Sequence, residues 1–116
     1  MTIRECYESV GSDFDDVLGR LGSENLIRRF AVKFLDDKTF EELENSMNAA
    51  DGETAFRAAH TLKGVCLNLG FTALGKVSSE LTEALRGSRN TNGCEYLFTN
   101  VETEYNRLIS ALQALD

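Results

Sequence analysis

Not one proline interrupts the 116 residues of the chain. Apolar residues recur three and four apart along most of it, and alternation of period two with flanking turn dipeptides is hard to find. A sequence that lacks the helix-breaking residue and repeats its apolar positions on a 3.6-residue period buries them as amphipathic helices. The expected class is therefore all-α. The length suits one domain over residues 1–116 with one core. Hydrophobic residues at 42% and charged residues at 27% give an ordinary globular balance.

Local signals divide the chain. Thr2 and Ser12 are candidate caps for short helices over residues 3–10 and 13–21. Gly22-Ser23 breaks the pattern, and Ser23 can cap a helix that begins at Glu24. Ile27, Phe30, Ala31 and Phe34 then recur at helical spacing, and Phe40, Leu43, Met47 and Ala50 resume it rotated about the axis. This leaves either one bent helix over 24–50 or a break near Asp36–Thr39. In the second case Thr39 would cap the new piece, with Glu42 completing a capping box.

Asp51-Gly52 marks a turn and an N-cap for a helix from about Glu53 to Leu69, and Gly70 stands where a left-handed residue ends such a helix. A further helix follows from Thr72 to about Arg86, with Leu74, Val77, Leu81 and Leu85 in one stripe. Residues 87–93 form a loop rich in Gly, Asn and Ser. The last helix covers about 94–114, with Leu97, Val101, Tyr105, Leu108, Leu112 and Leu115 facing inward. No repeat or linker is present. Amphipathic helices joined by short turns imply an antiparallel bundle.

The net charge is −7, with a pI near 4.7, which argues against nucleic acid or an anionic membrane as the main partner. No apolar run approaches the length of a membrane span, and Met1 is followed by polar, charged residues unlike a signal peptide. The cytoplasm is the expected compartment. Cys6, Cys66 and Cys94 are odd in number and widely spaced, with a single histidine to join them. Neither a zinc site nor a disulfide framework is expected, and Cys66 reads as core packing.

The single histidine, His60, sits in Ala59-His60-Thr61-Leu62-Lys63-Gly64. Successive helical residues turn by roughly 100°. On that wheel Ala55, Ala58, Ala59, Leu62, Val65, Cys66 and Leu69 gather into one apolar arc, and His60 falls on roughly the opposite side with Phe56, Lys63, Gly64 and Leu67. A lone surface histidine beside a lysine is usually only solvated. Here three features combine. A neutral imidazole is a nucleophile near neutral pH. Lys63 can stabilise the roughly two negative charges of a phosphorylated ring. Gly64 costs about 0.5–1 kcal/mol in mid-helix against alanine, which suggests that the missing side chain leaves room for another protein. Phe56 and Leu67, apolar on an exposed face, suggest docking.

These residues resemble the histidine-containing phosphotransfer (HPt) domain of two-component signalling. That pattern is a small residue and His, a variable residue, Leu-Lys-Gly, then Asn-Leu-Gly. Here it reads Ala59-His60-Thr61-Leu62-Lys63-Gly64 and Asn68-Leu69-Gly70. Asp51, Phe34, Leu43, Met47, Leu74, Val77, Leu81 and Glu83 match flanking positions, as do Gly11, Leu18, Arg20 and Gly22. The resemblance covers roughly residues 10–86, and the last helix is compatible but unspecific.

The resemblance implies an antiparallel four-helix bundle with a short additional N-terminal helix or helices. It implies His60 as phosphoacceptor, Lys63 as phosphate stabiliser and Gly64 as the opening for a receiver domain. The domain has no cofactor of its own, because the receiver brings magnesium. The partners implied are receiver domains or a hybrid sensor kinase, and a monomer is expected. Val65 departs from the small polar residue common there. Thr82 aligns with a glutamine that sometimes contacts the histidine, and Ser78 or Ser79 are substitutes for it. Val10, Phe14 and Val17 either extend the docking patch or cap the bundle.

Three competitors remain. A silent bundle would bind receivers without carrying phosphate, although His60, Lys63 and Gly64 are intact. A phosphoacceptor domain of a chemotaxis-type histidine kinase would use the same chemistry with a kinase as donor. An enzyme proper is disfavoured: the bundle leaves no room for a nucleotide-binding domain, no Gly-rich phosphate loop is present, and Asp51 and Glu53 lie more than a turn from His60. A start at Met1 and an end after a full last helix favour a free-standing protein.

Overall fold

The computed structural model describes all 116 residues and contains only helices and their connections. They are α1 (Ile3–Ser9), α2 (Phe14–Leu21), α3 (Glu24–Lys33), α4 (Thr39–Asn48), α5 (Gly52–Leu69), α6 (Thr72–Leu85) and α7 (Glu95–Gln113), with a 3₁₀ turn at Phe34–Asp36. Helix α4 packs on α5 and α7, α5 on α6, and α6 on α7, which closes a four-helix bundle. The short helices α1, α2 and α3 pack at one another and against α7 and α5. No helix is long and apolar enough to cross a membrane.

Residues 24–50 form two helices, and the break falls at Phe34–Asp37 as the rotated apolar pattern requires. The predicted Thr39–Glu42 capping box is absent. Thr39 is instead the first helical residue and is buried, and its amide donates to Asp37 Oδ1 at 2.8 Å. Ser12 likewise does not cap α2. Asp13 does, accepting from the Asp16 amide, while the Ser12 hydroxyl accepts from the Thr72 amide at the start of α6. Thr2 and Glu5 form a capping box on α1, Ser23 caps α3 and Asp51 caps α5.

The apolar arc of α5 is buried as expected at Ala55, Ala58, Ala59, Leu62 and Cys66, with Val65 and Leu69 at its half-buried edges. Small residues there let α6 come close: a Cβ added at Gly75 would lie 3.2 Å from Cys66 Cβ. The stripes of α6 and α7 point inward through Leu74, Leu81, Leu85, Val101, Leu108 and Leu112. Phe30 is the exception among the predicted inward residues of α3, being 38% exposed.

Both ends of α5 are fixed. At its C-terminus Gly70 is left-handed with φ 72°, its amide donates to Cys66 O, and Val17 occupies the space a Cβ would need. The Tyr7 hydroxyl donates to Leu69 O at 2.6 Å, and Arg20 donates to Asn68 O at 3.4 Å. These contacts satisfy carbonyls that the last turn of a helix leaves open. At the N-terminus the Gly52 amide donates to Arg89 O, and the backbone of Ser88 and Asn90 lies so close to Gly52 that no side chain fits. The bundle thus holds the middle of α5, where His60 lies, between two anchored ends.

Candidate functional site

His60 sits midway along α5 and is exposed, on the side away from the buried arc. Its ring lies nearly parallel to that of Phe56, one turn earlier, at 6.1 Å between centroids and 16° between planes. Phe56 is half-buried and supports the imidazole from the N-terminal side. Lys63, one turn later, is half-buried, and Leu67 beyond it is 62% exposed. Helical spacing therefore places Phe56, His60, Lys63 and Leu67 in one row.

Gly64 borders this row. A Cβ built there meets nothing within 4 Å, so no neighbour in the protein requires the glycine. Gly19 in α2 is also open in this way, whereas Gly52, Gly70 and Gly75 are each crowded. The approach to His60 is clear of protein on the Gly64 side.

Helix α6 contributes a charged pair. Arg86 grips Glu83 through two hydrogen bonds, Nε to Oε2 at 3.1 Å and a terminal nitrogen to Oε1 at 2.9 Å. The same guanidinium lies 5.1 Å over the Phe56 ring. The Arg86 guanidinium holds the Glu83 carboxyl below the usual carboxylate range, with a weaker contribution from the positive charge of Lys63. Glu83 therefore lies within electrostatic reach of the histidine row, and Arg86 reaches its Phe56 member.

The expected hydroxyl partners of His60 are corrected. Thr82 is fully buried, and its hydroxyl donates to Ser78 O at 2.7 Å. Ser78 is fully buried too, and its hydroxyl has no partner. Both point into the bundle, away from the exposed face. Of the three, only Ser79 shares a cleft with Lys63. Helical spacing puts Ser79, Glu83 and Arg86 on the side of α6 away from its buried stripe. Sequence reasoning matched Glu83 as a family position but missed Arg86. The signal for the pair was its i,i+3 spacing.

Val10, Phe14 and Val17 do not form a docking patch. They are 5%, 2% and 1% exposed, and they belong to the core cluster. Phe14 meets Tyr7 edge-on and is covered by Arg4. Of the predicted docking residues, Phe56 and Leu67 remain at the surface, and Phe30 and Leu21 line an apolar groove with Val65 nearby. No group of three His, Cys, Asp or Glu side chains is placed to hold a metal ion.

One bundle helix thus presents an exposed histidine, a lysine one turn on and an open glycine. The family model described as the Hpt domain matches residues 36–115, and the chain belongs to that family. The match includes α7 and begins after α3, so the N-terminal part of the resemblance lies outside it. Hpt domains are helical bundles with a phosphotransfer role in two-component signalling, and they are phosphocarriers, generally not enzymes. No curated protein and no solved structure matches the chain.

Proposed function

We propose that the protein carries a phosphoryl group on His60 between aspartates of receiver domains in a multistep phosphorelay. The observation that carries this reading is the exposed His60 at the centre of a doubly anchored helix, beside Lys63 and an unobstructed Gly64. The lone pair of the outward ring nitrogen attacks the phosphorus of an aspartyl phosphate. A nitrogen–phosphorus bond forms as the bond from phosphorus to the aspartate oxygen breaks, and the carboxylate leaves with its electrons. The reverse step passes the group to the next aspartate.

This chain's own part is positioning and charge. Phe56 limits the swing of the ring. Lys63 faces the roughly two negative charges of the product. Gly64 admits the receiver, which supplies magnesium and the remaining catalytic groups. The reading places the protein in the cytoplasm as a monomer.

The test is transfer from a panel of purified receiver domains charged with acetyl phosphate. Wild type should take up an acid-labile, alkali-stable label and return it to uncharged receiver. His60→Gln should take up none, and Lys63→Ala should be slowed. A folded wild type that no receiver labels removes the carrier reading and leaves a bundle that only binds.

A further inference from the structure

Two steps of the chain place a glycine after an acidic or amide side chain, Asp51-Gly52 and Asn92-Gly93. Such steps are open to attack by the glycine nitrogen on the preceding side chain. Glycine has no Cβ to shield that nitrogen, and its backbone can turn into the ring-closing geometry. The structure separates the two.

Asp51-Gly52 is closed. Asp51 Oδ1 accepts from the Thr54 amide at 3.1 Å, and Oδ2 accepts from the Thr54 hydroxyl at 2.7 Å. The Gly52 amide, the nucleophile of the step, donates to Arg89 O at 3.0 Å and is buried against the backbone of Ser88 and Asn90. Asn92-Gly93 is open. It forms the centre of a turn closed by the Cys94 amide on Thr91 O at 3.1 Å. Both residues are exposed, Gly93 has φ 80°, and a Cβ built on it would meet nothing within 4 Å. The Gly93 amide and the Asn92 carboxamide make no hydrogen bond within the chain, and only the main-chain amide of Asn92 is held, by Asn90 Oδ1 at 3.0 Å. Every other asparagine is fixed in a helix except Asn90, which precedes the buried, β-branched Thr91.

We propose that Asn92-Gly93 is a self-modification site, at which Asn92 loses its amide and becomes aspartate or isoaspartate. The Gly93 nitrogen attacks Cγ of Asn92. A carbon–nitrogen bond forms and closes a cyclic imide, the bond from Cγ to the side-chain nitrogen breaks, and ammonia leaves with the proton given up by Gly93. Water then opens the ring. Cleavage at Cγ leaves an ordinary aspartyl link, and cleavage at the main-chain carbonyl leaves the chain running through Cβ and Cγ. Water is the only co-reactant. Either product adds a negative charge to a chain that already carries −7. The isoaspartyl form also lengthens the main chain beside Asn90, in the loop whose Arg89 carbonyl holds Gly52. The modification therefore loosens the N-terminal anchor of α5.

The test needs no partner. Folded wild type is held at mildly alkaline pH until a urea-unfolded sample has converted at Asn92, and both are digested. Peptide fragmentation and labelling by an isoaspartyl methyltransferase locate the products. Folded wild type should show the amide-to-acid mass gain and isoaspartate at Asn92 ahead of every other asparagine, with Asp51 unchanged. Asn92→Gln, whose longer side chain needs a larger ring, should lose both signals. In urea Asp51-Gly52 should isomerise too, because only the fold protects it. An Asn92 still intact in the folded protein overturns the proposal, as does isoaspartate that arises first at another residue. Aged protein, separated from fresh on its added charge, should exchange the Gly52 amide hydrogen faster. Unchanged exchange there overturns the loosening of the anchor.

Discussion

Replacing Gly64 with alanine should make the protein more stable and a poorer phosphate acceptor. The two effects have separate causes. A Cβ at Gly64 meets no atom within 4 Å, so the substitution introduces no clash within the fold. It removes the excess backbone freedom of a mid-helix glycine from the unfolded chain, worth about 0.5–1 kcal/mol. With an unfolding entropy of roughly 2.1 cal/mol/K per residue, a chain of 116 residues should gain about 2–4 °C in melting temperature. The same methyl group stands where the receiver must approach His60. A misplacement of about 1 Å at a reacting pair can slow transfer about 100-fold. Thermal unfolding by circular dichroism and label transfer from a charged receiver read the two effects on one variant. Loss of stability would show that Gly64 serves packing inside the bundle. A gain in stability with full transfer would show that the open side of α5 is not the path of approach. Either result would refute the role given to Gly64.

Phe14→Ala should destabilise by about 3–5 kcal/mol, read by urea unfolding, because Phe14 is core and not docking surface. Ser78→Ala should stabilise by about 1 kcal/mol, since it removes a buried hydroxyl that has no partner. Tyr7→Phe should cost about 1–3 kcal/mol by leaving Leu69 O without its buried donor. Burial pushes the Cys66 thiol from 9.0 up to about 12 and raises Cys6 as well. The unfolded thiols lose their protons first. Stability held below pH 9 should therefore be lost as pH rises from there toward about 12, in equilibrium unfolding measured against pH. By the same burial, a disulfide reagent should find Cys66 unreactive until urea unfolds the chain.

Much of the architecture is legible in the sequence because it is local. Asp51, Gly70 and the arc from Ala55 to Cys66 each act within one helix, and the structure places them as their spacing requires. The same holds for His60, Lys63 and Gly64, whose arrangement follows from one helix alone. What fails depends only partly on how helices meet. Thr82 and Ser78 lie on the α6 face that turns inward, and their spacing from Leu74, Leu81 and Leu85 already puts them beside that buried stripe. For Val10, Phe14 and Val17 the spacing leaves docking and capping of the bundle open, and the packing of α1 and α2 decides for the buried alternative. Ser12 is misassigned by one residue because Asp13 caps α2, and Thr39 because α4 begins at it with no side-chain cap, its amide held by Asp37. Arg86 joins the site through space, lying over Phe56 from the end of the next helix.

The most direct measurement locates the phosphoryl group itself. Wild-type protein exposed to a charged receiver is digested under alkaline conditions, and its peptides are fragmented by a method that preserves nitrogen–phosphorus bonds. One phosphoryl group on His60, and none elsewhere, is the predicted result. Phosphate on a serine, threonine or aspartate instead, or none on a folded chain that still binds the receiver, would contradict the assignment of His60 as the carrier.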